Sequence, residues 1–150
     1  MSDIQVDSSQ NIIALPSYKG YIVALNQSGS NAPIPTVFQD DLNMPSWENI
    51  PGSVPFTGIG CYRCLFPAPL LLDKIFIPNG TDWNTNATNA IPLFDGTSIV
   101  GYIIISIGTT VDESGTYATE LNLYSYDGSF VQKELGELVD RFPIEIRVYP

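Results

Sequence analysis

The sequence predicts an all-β chain folded as an antiparallel β-sandwich, jelly-roll or immunoglobulin-like, with about seven or eight short strands and at most one helical turn. Three observations lead there. Apolar residues recur with period two in several short segments, most plainly at the chain end, where Ile144, Ile146 and Val148 alternate with Glu145, Arg147 and Tyr149. Eight Tyr and seven Phe accompany abundant Ile, Val and Thr, the residues that suit a pleated sheet. Twelve Gly and twelve Pro punctuate these segments, and no sustained apolar stripe of helical period appears. At 150 residues the chain suits one domain with a real core. The expected organisation is a flexible polar arm over residues 1–9 and a single sandwich over 10–150.

In chain order, residues 11–15 are a short apolar run stopped by Pro16. Residues 18–26 alternate, with Tyr21, Val23 and Leu25 on one face, and residues 27–30 supply a turn. Residues 34–39 read as an edge strand, because Pro33 and Pro35 remove backbone donors. Residues 40–57 carry Pro45, Pro51 and Pro55 without a clean period and read as a long loop from which Trp47 packs onto the core. Two strands, 58–66 and 70–77, are expected on either side of Pro67-Ala68-Pro69. The polar stretch 79–90 must lie at the surface.

Residues 99–107 are apolar on both faces, as in a central strand covered on both sides. Asp112-Glu113-Ser114-Gly115 marks a turn. Residues 116–126 follow, with Tyr117, Thr119, Leu121 and Leu123 expected on one face and Glu120, Asn122 and Tyr124 on the other. Asp127-Gly128 is a hairpin signal. Leu135, Leu138, Val139 and Phe142 fit one helical turn weakened by Gly136, and the strand over 144–149 completes the set.

The chemistry-bearing residues are few. There is no His, only two Cys and six basic residues, so neither an enzyme nor a cofactor is expected. Cys61 and Cys64 form a lone C-x-x-C without further thiol or imidazole ligands, which argues against zinc. Three residues apart on a strand they point to opposite faces, so two reduced thiols are expected, at least one of them buried. Asp112, Glu113 and Asp127 form the best candidate calcium cluster, although no EF-hand pattern is present. A net charge of -10 argues against nucleic-acid and anionic-membrane partners. The first residues, Met1 to Gln5, lack the basic and apolar regions of a secretory signal, and synthesis in a cytoplasm is expected.

With only 15% charged residues, the surface suits a protein that packs against neighbours. The candidate contact surface consists of Trp83, Asn84 and Asn86 with Tyr124 and Tyr126, since aromatic and amide side chains serve protein and sugar contacts alike.

Four landmarks carry a resemblance: Ala24-Leu25-Asn26-Gln27-Ser28-Gly29 with Ala32-Pro33, Gly58-Ile59-Gly60-Cys61-Tyr62, Leu72-Asp73-Lys74-Ile75-Phe76, and Pro143-Ile144-Glu145-Ile146-Arg147-Val148-Tyr149. In this order the chain resembles small virion-associated structural proteins of tailed bacteriophages that infect Bacteroidetes, of the crAss-like and Flavobacterium phage type. It departs from that pattern around residues 40–47 and in a longer 79–90 stretch. The resemblance implies a virion component made in the host cytoplasm, such as a capsid decoration or head-fibre protein. Its partners would be itself, as a homo-oligomer such as a trimer, and the capsid or another virion protein. The rival from another class is a carbohydrate-binding or receptor-binding module of a tail or baseplate, with Trp83, Tyr124 and Tyr126 as stacking faces.

Overall fold

The computed structural model describes residues 5–6, 12–14, 17–52, 58–78, 81–82, 87–88 and 90–150. Near the start, β1 (Gln5–Val6) pairs with β2 (Ile12–Ala14). The first sheet combines β3 (Lys19–Asn26), β4 (Ile34–Asp40), β7 (Ile75–Phe76) and β13 (Phe142–Val148). The second combines β5 (Glu48–Asn49), β6 (Cys61–Leu71), β10 (Ile91–Asp95), β11 (Ser98–Asp112) and β12 (Gly115–Asp127). Between β7 and β10, β8 (Thr81–Asp82) pairs with β9 (Ala87–Thr88). All pairings are antiparallel, in the orders β4-β3-β13-β7 and β10-β11-β12-β6-β5.

The two sheets pack face to face as an antiparallel sandwich, as the alternation predicts. Tyr21, Val23, Leu25, Phe142, Ile144 and Ile146 of the first sheet meet Tyr62, Cys64, Ile103, Ile105, Leu121 and Leu123 of the second in one buried cluster. β4 lies at the edge of its sheet, as Pro33 and Pro35 predict. The chain end is a paired strand, with Ile144 opposite Val23 and Ile146 opposite Tyr21. Trp47 is buried, as expected of it.

The helical turn expected near Leu135 is a 3-10 turn, Leu135–Glu137, and a second one, Leu72–Lys74, joins β6 to β7. Leu135 plugs the core. Tyr62 Oη fixes this turn by donating to Glu134 Oε2 and accepting the Leu135 N–H at 3.1 Å. Gln27 secures the other side, donating to Glu134 Oε2 at 2.7 Å and accepting the Gly136 N–H at 2.8 Å.

Two expectations need correction. Pro67-Ala68-Pro69 does not separate two strands: β6 runs through it, and residues 66–69 stand opposite the single residue Thr119. A bulge leaves its extra residues outside the ladder, so the missing proline donors cost nothing there. The chain then crosses to the other sheet through the Leu72–Lys74 turn, so residues 70–77 are divided between two strands. Thr119 is also an extra residue against β11, between Glu120 opposite Gly108 and Ala118 opposite Thr109, and this bulge shifts the parity of β12. Leu121 and Leu123 point inward as expected, but before the bulge the fully buried residue is Ala118, not Tyr117 or Thr119. β11 lies inside its sheet, and the centre of the sheet is β12.

Candidate contact surfaces

Of the predicted contact residues, Tyr124 and Tyr126 are described, whereas Trp83, Asn84 and Asn86 lie outside the described residues. Leu121, Leu123 and Ser125 face the core, so Tyr124 and Tyr126 stand on the outer face of the five-stranded sheet. Tyr126 is opposite Tyr102, and Tyr124 is opposite Ile104 and Cys61. Burial raises the pKa of both phenols, against a lowering contact from Ser106 on Tyr124 and from Gln132 on Tyr126. β8 and β9 lie beside β11.

The aromatic face is completed by two residues the sequence analysis passed over. Phe130 stacks on Tyr102 with ring centroids 4.2 Å apart and an interplanar angle of 11°. Its ring also meets Tyr126 at 6.2 Å, tilted by 48°. Tyr102 was legible from alternation with the inward Ile103. Phe130 was not, because its position depends on a backbone state that sequence period does not report. It sits at φ +59°, the left-handed region that a bulky side chain rarely occupies, yet it remains 55% exposed.

Asp127 holds that state. Its Oδ1 accepts the Ser129 N–H at 2.8 Å and the Val131 N–H at 3.0 Å. The backbone adds Asp127 N–H to Val131 O at 2.8 Å and Phe130 N–H to Asp127 O at 3.0 Å. The expected Asp127-Gly128 hairpin is thus a tight loop closed by one bridge, between Tyr126 and Gln132. The Val131 and Ser129 N–H bonds hold the Asp127 carboxyl below the usual carboxylate range. A group whose pKa is depressed by folding stabilises the fold above its unfolded-state pKa, and that contribution disappears as pH falls through the folded-state value. Acidification below the carboxylate range is therefore expected to release Ser129 and Val131 and loosen the Phe130 stack. Ring and amide signals followed by NMR through an acid titration check this; in Asp127→Asn the transition should be absent.

The candidate calcium cluster is not assembled. Asp112 and Asp127 lie at opposite ends of the β11–β12 pair, opposite Gly115 and Gly101 respectively. Asp112 Oδ1 is occupied by the Ser114 N–H and Oγ at 2.8 and 2.6 Å.

Both thiols are free and buried. Cys64 points into the core, donates to Pro45 O at 3.2 Å, and burial pushes its pKa up to about 12. Cys61 lies on the side of Tyr124, covered by Gln132, whose Nε2 donates to its sulfur at 3.4 Å. Burial raises its pKa too. Since the thiolate is the nucleophile, iodoacetamide at pH 8 is expected to leave both unmodified in the native protein and to label both in denaturant, read by intact mass.

The third feature is the edge at β4. Ile34, Val37 and Phe38 are 67%, 52% and 66% exposed, and no charged residue occurs from Asn31 to Gln39. Phe38 is the extra residue of a bulge, between Val37 opposite Val23 and Gln39 opposite Ile22. Strand edges are usually blunted by charge, proline or bulges; here Pro33 and Pro35 stand at the strand's start, the Phe38 bulge in its middle and Asp40 at its end, and the apolar side chains between them stay exposed.

No family model, no curated protein and no solved structure matches the chain.

Proposed function

We propose that the chain is a non-enzymatic structural module that acts by protein–protein assembly, a capsid decoration or head-fibre component of a phage virion that associates with copies of itself. The observation that carries assembly is the β4 edge, a seven-residue strand with one side of its backbone unpaired among the described residues and three large apolar side chains exposed. The same strand on a second copy supplies matching donors, acceptors and apolar surface in antiparallel register, which makes the contact self-complementary. The virion placement rests on the resemblance of the four sequence landmarks. A surface with few charges agrees with both parts of the reading.

The test is mass photometry over a range of concentrations, on the wild type and on Val37→Lys and Phe38→Lys, followed by co-sedimentation with assembled phage capsids. The wild type is expected to form a discrete oligomer that pellets with capsids. Placing an ammonium on the edge should weaken association at least tenfold, because pairing two copies would then bury like charges. A wild type that stays monomeric, or lysine variants that associate unchanged, would remove the β4 assembly reading. An oligomer that ignores capsids would remove the head assignment.

A further inference from the structure

A cleft of about 670 Å³ opens beside the pairing of β3 with β13 and is lined by none of the residues of the aromatic face. Its volume falls within the range of about 300–1,000 Å³ usual for small-molecule sites. One wall is aromatic. Lys19 is opposite Val148 in the ladder, which brings the flanking residues Tyr18 and Tyr149 together with ring centroids 5.8 Å apart. The Arg147 guanidinium lies 5.0 Å from the Tyr18 centroid and is held by Glu145 at 2.7 Å, so the Tyr18 ring is backed by a fixed cation.

Pro67, Ala68 and Leu70 of β6 add apolar lining, and the polar groups come from Lys19 and from the turn after β4. Asp40 caps that turn, its carboxylate accepting the Leu42 N–H at 3.1 Å and the Met44 N–H at 3.0 Å. The cap holds Asn43 at φ +56°. Asp41 is oriented through one oxygen only: Oδ2 accepts the Gly20 N–H at 2.9 Å and Gln39 Nε2 at 2.6 Å. Those bonds keep its carboxyl ionised to lower pH than usual. Asp41 Oδ1, the Asn43 amide and the Lys19 ammonium, all on the cleft wall, have no hydrogen-bond partner among the described residues.

From this arrangement we infer that the cleft binds a neutral saccharide, with a sugar ring against the Tyr18–Tyr149 pair and its hydroxyls shared between Asp41 Oδ1, the Asn43 amide and Lys19. Each sugar hydroxyl donates and accepts, and the wall offers a carboxylate acceptor, an amide of both kinds and an ammonium donor. The C–H face of the ring suits an aromatic surface. Other ligand classes fit less well. An anion meets Asp41 and a chain of net charge -10. A purely apolar ligand would bury three polar heads without partners. No group of three or more metal-ligating side chains occurs among the described residues, so a cation lacks a ligand set here. The inference is independent of the assembly reading, since the cleft and the β4 edge use different side chains.

The experiment is an array of neutral glycans, followed by ¹⁵N-¹H NMR titration with whichever array oligosaccharide binds. The expected result is a saturable shift of the amide resonances of residues 18–19, 41–43 and 148–149. Asn43→Gly should weaken binding about five- to tenfold, the loss expected for one or two hydrogen bonds, with an unchanged Tm because glycine accepts φ +56° without strain. Failure of every neutral glycan to bind, shifts centred on Tyr102 and Phe130, or an Asn43→Gly variant that binds as tightly as the wild type would each overturn it. So would preference for a peptide ligand whose binding Asn43→Gly leaves untouched.

Discussion

Gly60→Ala is expected to destabilise the protein by about 3 kcal/mol or more, while Gly29→Ala costs about 1 kcal/mol. Both glycines are left-handed, at φ +68° and +58°, so the backbone cost of adding Cβ is shared. Their surroundings differ. Nothing lies within 4 Å of a Cβ on Gly29, whereas one on Gly60 would strike Lys133 O and sit 2.8 Å from both Ser125 O and Ser125 Oγ. Three segments meet at this point. Ser125 donates its N–H to Gly60 O at 2.8 Å, Lys133 donates its N–H to Ser125 O at 3.1 Å, and Ser125 Oγ donates to Lys133 O at 2.5 Å. Two of the atoms in the way are backbone oxygens of ordered segments, so they cannot swing aside as a flexible side chain would. Relief requires breaking bonds that tie the end of β12 to the start of β6 and to the segment leading into the Leu135 turn. Urea denaturation of the two variants checks the difference. If they lose equal stability, only the left-handed φ matters and the three-segment junction contributes nothing.

Much of the fold was readable wherever a local pattern decides the local structure. Tyr21, Val23 and Leu25 alternate on β3 because one face of that strand is core, and Pro33 with Pro35 exclude β4 from the middle of a sheet. Asp112-Glu113-Ser114-Gly115 makes its turn through bonds inside the motif itself. Misreadings arose where a partner strand decides. Nothing within Pro67-Ala68-Pro69 reveals that Thr119, far along the chain, will face it and absorb the bulge. The parity of β12 before Leu121 follows from the bulge at Thr119 against β11, which no residue near it in sequence reveals.

The contact surfaces divide in the same way. Tyr124 and Tyr126 were found by composition and alternation, but Phe130 joins them only because Asp127 caps a left-handed turn. The cleft was invisible in the sequence. Tyr18 reaches Tyr149 through the β3–β13 ladder, and Asp41 reaches Gly20 across the β3–β4 ladder, contacts that no window of residues contains.

Trp47→Ala is expected to cost about 3–5 kcal/mol, the range for emptying a buried aromatic site. Trp47 is 3% exposed, yet it comes from a stretch with little regular structure, so its own burial is what fixes that stretch against the core. Its Nε1 donates to Tyr21 Oη at 3.0 Å, and Tyr21 is itself buried with its pKa raised by desolvation. Tyr21→Phe leaves the indole N–H without its acceptor, and Trp47→Phe leaves the phenol without its donor, each costing roughly 1–3 kcal/mol. Combining the two removes both polar groups, so the double variant should lose about 1–2 kcal/mol less than the sum of the singles. Additive losses would mean that the bond contributes little and that Trp47 acts by volume alone. A further consequence reaches the cleft. The Pro45 O that accepts the Cys64 thiol and the buried Trp47 pin the same loop that presents Asp41 and Asn43. Trp47→Ala should therefore weaken saccharide binding under conditions where the protein is still folded, although the indole is not among the residues lining the cleft. Trp47→Phe, which keeps most of the buried ring, should bind nearly as the wild type does. A Trp47→Ala variant that is folded and binds undiminished would show that the Asp40 cap alone orders the turn.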